Sequence, residues 1–208
     1  MGIRTAIKPV GSRKGRYKKG TVLCNLSNGQ SATITFYPGI YYIRAQGAGG
    51  SGGITGYWNS GQGGGSGAGF TGYIKIKKTI KNVGVSAGAA TAAGYTLKGG
   101  DTIIGNIMSL GGGLGGIGND GAQANNGGKY TFNQSNDWEI VSSSVAEDGL
   151  KAGYGQGSNS VLTNSGGGPA NNPATASGAG SGGGTGFGSK ASASGMGECL
   201  IRYDGLNI

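Results

Sequence analysis

The chain has no histidine, only four prolines, two cysteines, and no acidic residue in its first hundred positions. Each shortage closes off a class of protein. Without histidine there is no Ser-His-Asp or Cys-His arrangement, and the side chain most often used as a general base is missing. Two cysteines and no histidine argue against a zinc site. Four prolines are too few for collagen, which also needs an unbroken Gly-X-Y period. No run of about eighteen apolar residues occurs, so no segment reads as a membrane-spanning helix. The basic N-terminus has no apolar stretch behind it, so no secretory signal is expected, and we expect synthesis in a cytosol. The eight acids are scattered, and no two of them read as a glycosidase pair. A non-enzymatic protein without a cofactor is therefore expected. Gly115–Gln123 (GGIGNDGAQ) fits a single copy of a calcium-binding nonapeptide repeat, but such a site needs stacked copies, and a turn of glycine helix is the preferred reading.

What the chain has in abundance is glycine, 51 residues of 208. In two places the glycines recur every third position: Gly47, Gly50, Gly53 and Gly56, and again Gly112, Gly115, Gly118 and Gly121. A period of three suits neither an α-helix nor a strand. It suits a left-handed, three-residue helix of the polyproline II type, which has no internal hydrogen bonds. Such helices can pack backbone to backbone only where the contacting residue lacks a Cβ. Flexible coil is the competing reading for Gly/Ser-rich tracts. Strand-like sequences interrupt the tracts, and this favours order.

Those strand sequences are legible by alternation. Thr21–Leu26 reads as a strand. In Ser31–Tyr37, Ala32, Ile34 and Phe36 share one face. Pro38-Gly39 then suggests a type II turn, and Ile40–Gln46 a partner strand, so residues 31–46 read as a hairpin. Phe70–Lys77 places Ile74 and Ile76 inward and Lys75 and Lys77 outward, with Ile80–Ser86 as its expected partner. Thr102–Ser109 reads as one strand, and Lys129–Asn133, Trp138–Val145 and Glu198–Tyr203 as others. Glycine tracts are expected near residues 46–69, 111–128 and 166–188. No segment has helical apolar spacing. The expected fold is all-β: an antiparallel β-sandwich of jelly-roll or TNF-like type, carrying a packed polyglycine II subdomain, with little or no α-helix. The first and last strands could pair, which leaves a Cys24–Cys199 disulfide conceivable, although cytosolic synthesis favours two buried free thiols.

Charge divides the chain. Residues 1–100 carry thirteen basic side chains and no acid, while residues 101–208 carry four basic and eight acidic ones. Seven of the basic residues lie in the first twenty: Arg4, Lys8, Arg13, Lys14, Arg16, Lys18 and Lys19. Residues 1–20 read as a docking arm for an acidic protein surface, with 21–208 as the glycine-rich domain. A single-strand nucleic-acid site would need aromatic residues interleaved with basic ones in a groove, and nucleic acid is not expected as a partner. Aromatic residues isolated among glycines are the binding candidates: Tyr57 and Trp58 where the first tract breaks, Trp138 in an inserted segment, and Tyr154 and Phe187. A ring held on rigid backbone can anchor a sugar or a protein surface. Folding back to cap the glycine layers is the alternative.

The run IYYIRAQGAGGSGG, followed by GFTGYIKIKKTIKNVGVSAGAA, GGDTIIGNIMSLGGGLGGIG and a closing GMGECLIRYDG, resembles the glycine-rich domains of phage virion proteins and bacterial surface proteins. The layout is similar to the glycine-rich, TNF-like ectodomain segment of the anaplastic lymphoma kinase receptor and to the distal adhesins of phage tail fibres. The resemblance covers roughly residues 21–208; the basic arm has no counterpart in it. It implies a virion structural protein on the particle exterior, either a tail-fibre or tail-tip adhesin or a capsid decoration protein. The expected partners are other virion proteins at the arm and a host cell-surface receptor or glycan at the loops, with assembly as a homo-oligomer. A bacterial surface or matrix filament subunit is the structural alternative, and an ice-binding protein a further one.

Overall fold

The computed structural model describes residues 17–55, 63–92, 97–116, 127–152, 157–164, 166–168, 176, 180–183, 186–187 and 193–206. Among these residues the chain forms strands and no α-helix. In chain order they are β1 (Val22–Ser27), β2 (Ser31–Phe36), β3 (Gly39–Gln46), β4 (Ile54–Thr55), β5 (Gly69–Ile76), β6 (Ile80–Ser86), β7 (Thr102–Ile104), β8 (Met108–Leu110), β9 (Tyr130–Phe132), β10 (Trp138–Glu147), β11 (Gly186–Phe187) and β12 (Glu198–Gly205).

Alternation places the core. Ile34 and Phe36 on β2, Tyr41, Ile43 and Ala45 on β3, Ile74 and Ile76 on β5, and Cys199, Ile201 and Tyr203 on β12 are all buried in one cluster. Burial of each large apolar side chain is worth about 1.5–3 kcal/mol. The cluster lies between two antiparallel sheets. The first has the order β1-β12-β3-β5-β10, the second β2-β6-β7-β8-β9, and β4 and β11 form a separate short parallel pair. This is an all-β sandwich. Phe36 and Tyr41 lock the sheets together edge to face, with ring centroids 4.8 Å apart.

Two expected pairings and one expected strand are different in the structure. Residues 31–46 are not a hairpin: β2 pairs with β6, while β3 pairs with β12 and β5. Both strands carry an apolar face, and the two faces meet across the core instead of lying side by side. The bend at Pro38-Gly39 is thus a corner between sheets. Gly39 takes φ 149° there, and a Cβ on it would stand 2.5 Å from the Tyr203 ring. Tyr41 pins the corner, its hydroxyl accepting from the Tyr37 N–H and donating to the Tyr37 carbonyl, both at 2.9 Å. Nor does β6 pair with β5; it crosses to the second sheet, between β2 and β7. Finally, Thr102–Ser109 is two strands. Gly105, at φ +48°, turns the chain, Ile107 N–H donates to the Ile104 carbonyl at 2.9 Å, and β7 and β8 pair as a hairpin.

β1 and β12 do pair, in antiparallel register. Cys24 and Cys199 are buried free thiols on the core side of these strands. Their mutual hydrogen bond pushes Cys199 well above the usual thiol range and lowers Cys24. The division of charge along the sequence is resolved in space by the same long-range pairing. Lys77 meets Glu139 at 2.6 Å, Lys78 meets Asp137 at 3.0 Å, and Arg44 meets Glu198 at 3.1 Å.

The described glycine segments leave the sandwich at one end. Gln46 ends β3, Gly69 begins β5, Glu147 ends β10 and Glu198 begins β12, and the registers set these ends together; Gly111, just after β8, joins them by accepting from Ala68 N–H. Beyond that end the hydrogen bonds rotate with a period of three. Gly47 and Gly50 donate to Ala68 and Gly65; Ala48 and Ser51 donate to Gly100 and Leu97; Gly49 donates to Gly195. The next segment repeats the rule: Gly64 and Gly67 donate to Gly183 and Gly180, Gly65 and Ala68 to Leu114 and Gly111, and Ser66 to Leu150. A side chain at Gly50, Gly64 or Gly182 would overlap the carbonyl of Leu114, Gly50 or Gly64 respectively. These segments are bonded on several sides at once and touch through their backbones.

Buried polar side chains join this layer to the sandwich. Thr102 Oγ1 donates to the Gln46 carbonyl at 2.7 Å and accepts from Gly88 N–H at 2.8 Å. Gln46 Nε2 donates to Gly67 O at 3.1 Å, and Ser160 Oγ donates to Gln46 Oε1 at 2.7 Å.

The basic segment joins the sandwich at the opposite end. Tyr17 donates to the Thr35 carbonyl at 2.8 Å and packs on Tyr37 and Tyr203, with ring centroids 5.4 and 6.0 Å away. Gly20 N–H donates to Tyr203 O, and Tyr203 N–H to Thr21 O, both at 2.8 Å. From Tyr17 onward the expected arm is therefore part of the folded body, with Lys18 and Lys19 exposed.

Candidate functional site

The first sheet turns its other face away from the core. Along β3 and β5 the buried Tyr41, Ile43 and Ile74 alternate with half-buried Tyr42, Arg44, Thr71 and Tyr73. On β12, Arg202 and Leu200 alternate with buried Ile201 and Tyr203 in the same way. Register then sets these side chains in rows across the sheet. Val22, Arg202, Tyr42, Tyr73 and Ser142 stand side by side on β1, β12, β3, β5 and β10. Asn25, Leu200, Arg44, Thr71 and Val145 form the neighbouring row.

The two tyrosines are the centre of the face. Their ring centroids are 5.4 Å apart and their planes are inclined by 59°. The Arg202 guanidinium lies 5.1 Å from the centre of the Tyr42 ring, a cation–π contact worth about 0.5–1 kcal/mol at an exposed site. Two carboxylates balance the arginines. Arg44 meets Glu198 at 3.1 Å, and Arg202 meets Asp204 at 3.7 Å. These pairs are partly solvated, so each contributes about 0–1 kcal/mol, and their larger effect is to cancel most of the local charge. The face offers aromatic surface bordered by guanidinium, amide, hydroxyl and carboxylate groups. It can hold a ligand that has an apolar face and a polar edge. Among the described residues, no three His, Cys, Asp or Glu side chains gather to hold a metal ion.

The structure treats the residues expected to bind in different ways. Trp138 is not displayed: it is 6% exposed in the core at the start of β10, and its indole N–H donates to the Asn133 carbonyl at 2.7 Å. The indole belongs to packing because its strand alternation turns it inward opposite Ile76. Tyr57, Trp58 and Tyr154 lie outside the described residues, as do Arg4, Lys8, Arg13, Lys14 and Arg16. The same holds for most of Gly115–Gln123. Phe187 is on β11, its backbone paired with Thr55, two positions before Tyr57 in the chain. Lys18 and Lys19 are exposed at the end away from the glycine segments. Among the described residues, Trp138, Lys18 and Lys19 stand outside the row of Tyr42 and Tyr73. That row was within reach of the sequence, since IYYIRAQ and FTGYIKIK each place a tyrosine on the polar phase of an alternating strand.

No protein-family model matches this chain, and no curated protein sequence shows a significant match to it.

Proposed function

We propose that the chain is a non-enzymatic structural protein of a phage virion exterior, a tail-fibre or tail-tip adhesin or a capsid decoration protein. In this reading the basic N-terminus docks on an acidic surface of another virion protein. The glycine segments, which we infer to be polyglycine II helices, project and carry binding loops toward a host-cell receptor or glycan. The supporting observation is polarity: Tyr17 ties the basic segment to one end of the sandwich, and the described glycine segments leave from the other. A molecule built this way can hold a support at one end while its far end stays free. The threefold rotation of hydrogen-bond donors is what a polyglycine II lattice requires. Such a lattice leaves few unpaired amides for proteases or solvent to open.

The test is removal of residues 1–16, which spares Tyr17 and the sandwich. The truncated chain should fold with an unchanged strand spectrum yet fail to enter particles, and immunogold labelling of complete particles should place the intact chain outside. Full incorporation of the truncated chain would refute docking through the arm, and label only in unassembled protein would refute the virion role.

A further inference from the structure

We propose that the outer face of the first sheet, centred on Tyr42 and Tyr73, is a binding site for a neutral glycan. For the biological source of that glycan the inference rests on the display reading above; the site itself stands on the geometry of the sheet.

Four observations select this ligand. The first is the paired rings. Tyr42 and Tyr73 are direct cross-strand partners on the inner strands β3 and β5, half-buried and therefore held in place, with centroids 5.4 Å apart. That spacing is close to the length of one sugar unit in a chain. The apolar C–H face of a pyranose packs on an aromatic ring; with the Arg202 guanidinium over the Tyr42 ring, the pair offers a sugar the Tyr73 ring with the Arg202–Tyr42 stack beside it. The second is the border. Arg202, Asp204, Arg44, Glu198, Asn25, Thr71 and Ser142 supply planar and hydroxyl hydrogen-bonding groups around the rings, the inventory needed to read hydroxyls in bidentate fashion.

The third is charge. Both arginines are already matched by carboxylates, at 3.1 and 3.7 Å. A polyanion would have to displace those carboxylates or lie beside them, which costs attraction at each contact. The face thus disfavours nucleic acid and acidic polysaccharide, and suits an uncharged, hydroxyl-rich chain. The fourth is length. The row from Val22 through Arg202, Tyr42 and Tyr73 to Ser142 crosses all five strands, so an extended oligosaccharide can lie along it.

The experiment uses the full chain on an array of neutral hexose oligosaccharides and acidic oligosaccharides, with a single-stranded DNA oligonucleotide as a polyanion control. We expect binding to neutral oligosaccharides that does not weaken with added salt. Tyr42→Ala and Tyr73→Ala should each lower affinity about tenfold or more, while Tyr42→Phe and Tyr73→Phe, which keep the rings, retain most of it. Thr71→Lys provides a control independent of the tyrosines, because it obstructs the neighbouring row from outside the core and should produce the same loss. Thermal melting checks that each variant is folded. Three results would overturn the proposal: no neutral glycan bound, binding confined to acidic glycans or DNA, or wild-type affinity in a folded Tyr→Ala or Thr71→Lys variant. Each of these leaves the location on a particle to be judged by labelling alone.

Discussion

A methyl group on Gly182 would overlap the carbonyl oxygen of Gly64, so the two segments meet backbone against backbone. Gly64 N–H in turn donates to the Gly183 carbonyl at 2.8 Å, which fixes their separation. Gly182→Ala should therefore lower stability by about 1–3 kcal/mol or more, since both partners are main chain and neither can swing aside. Gly84 on β6 is the control, because open space surrounds the position of its missing Cβ. Gly84→Ala should be neutral or stabilising by about 0.4–1 kcal/mol, through the unfolded state. Denaturant melts of the two variants give the comparison.

Thr102 offers a second test, on the polar joint between sandwich and glycine layer. Its hydroxyl serves both Gly88 N–H and the Gln46 carbonyl in a site with no solvent access. Thr102→Val keeps the shape and strands both partners. The expected loss is about 1–3 kcal/mol, with Thr102→Ser closer to wild type.

Trp138 separates packing from recognition. Trp138→Ala should cost about 3–5 kcal/mol for a buried ring of this size. Trp138→Phe should cost less, and folded Trp138→Phe protein should keep whatever ligand binding the wild type has. Weakened binding in a variant of unchanged melting temperature would return this residue to the site.

Response to pH should be lopsided. Burial pushes Tyr41 far above its usual value of 10, and burial also raises Tyr17 and Tyr130. In each case the folded state holds its proton more tightly than the unfolded chain. That contribution is complete below pH 10 and is lost as pH rises from 10 toward the folded values. On the acid side, hydrogen bonds from Lys77 and Lys129 hold Glu139 and Asp148 below the usual carboxylate range. Their contribution is present above the unfolded values near 4 and fades as pH falls below them, and solvent exposure keeps it small. Histidine, which would titrate between, is absent. Melting temperatures should form a plateau from about pH 5 to 9 and drop more steeply above pH 10 than below pH 4.

Strand positions were readable because alternation is local. Ile34 and Phe36, Ile74 and Ile76, and Cys199, Ile201 and Tyr203 all point where their phase says. Partners were not readable, because two apolar-faced strands joined by Pro38-Gly39 can lie side by side or face to face, and only the rest of the core decides. Gly105 split Thr102–Ser109 into two strands by taking a positive φ that the flanking isoleucines gave no sign of. At the candidate site, attention to rings isolated among glycines passed over Tyr42 and Tyr73. A tyrosine on a strand looks like core until the register shows that its neighbours across the sheet are Arg202 and Ser142.

The rotation of hydrogen bonds by thirds has a consequence for how such a chain can change. Removing one residue between Gly47 and Ser51 would aim every later amide of that segment at the wrong neighbour, and would move a side chain into a seat where only glycine fits. Removing three residues would restore each amide to its own direction and shorten the segment by one period. Length variation within these segments is therefore governed by a structural reading frame of three, and loops can be lengthened freely only where that frame has ended.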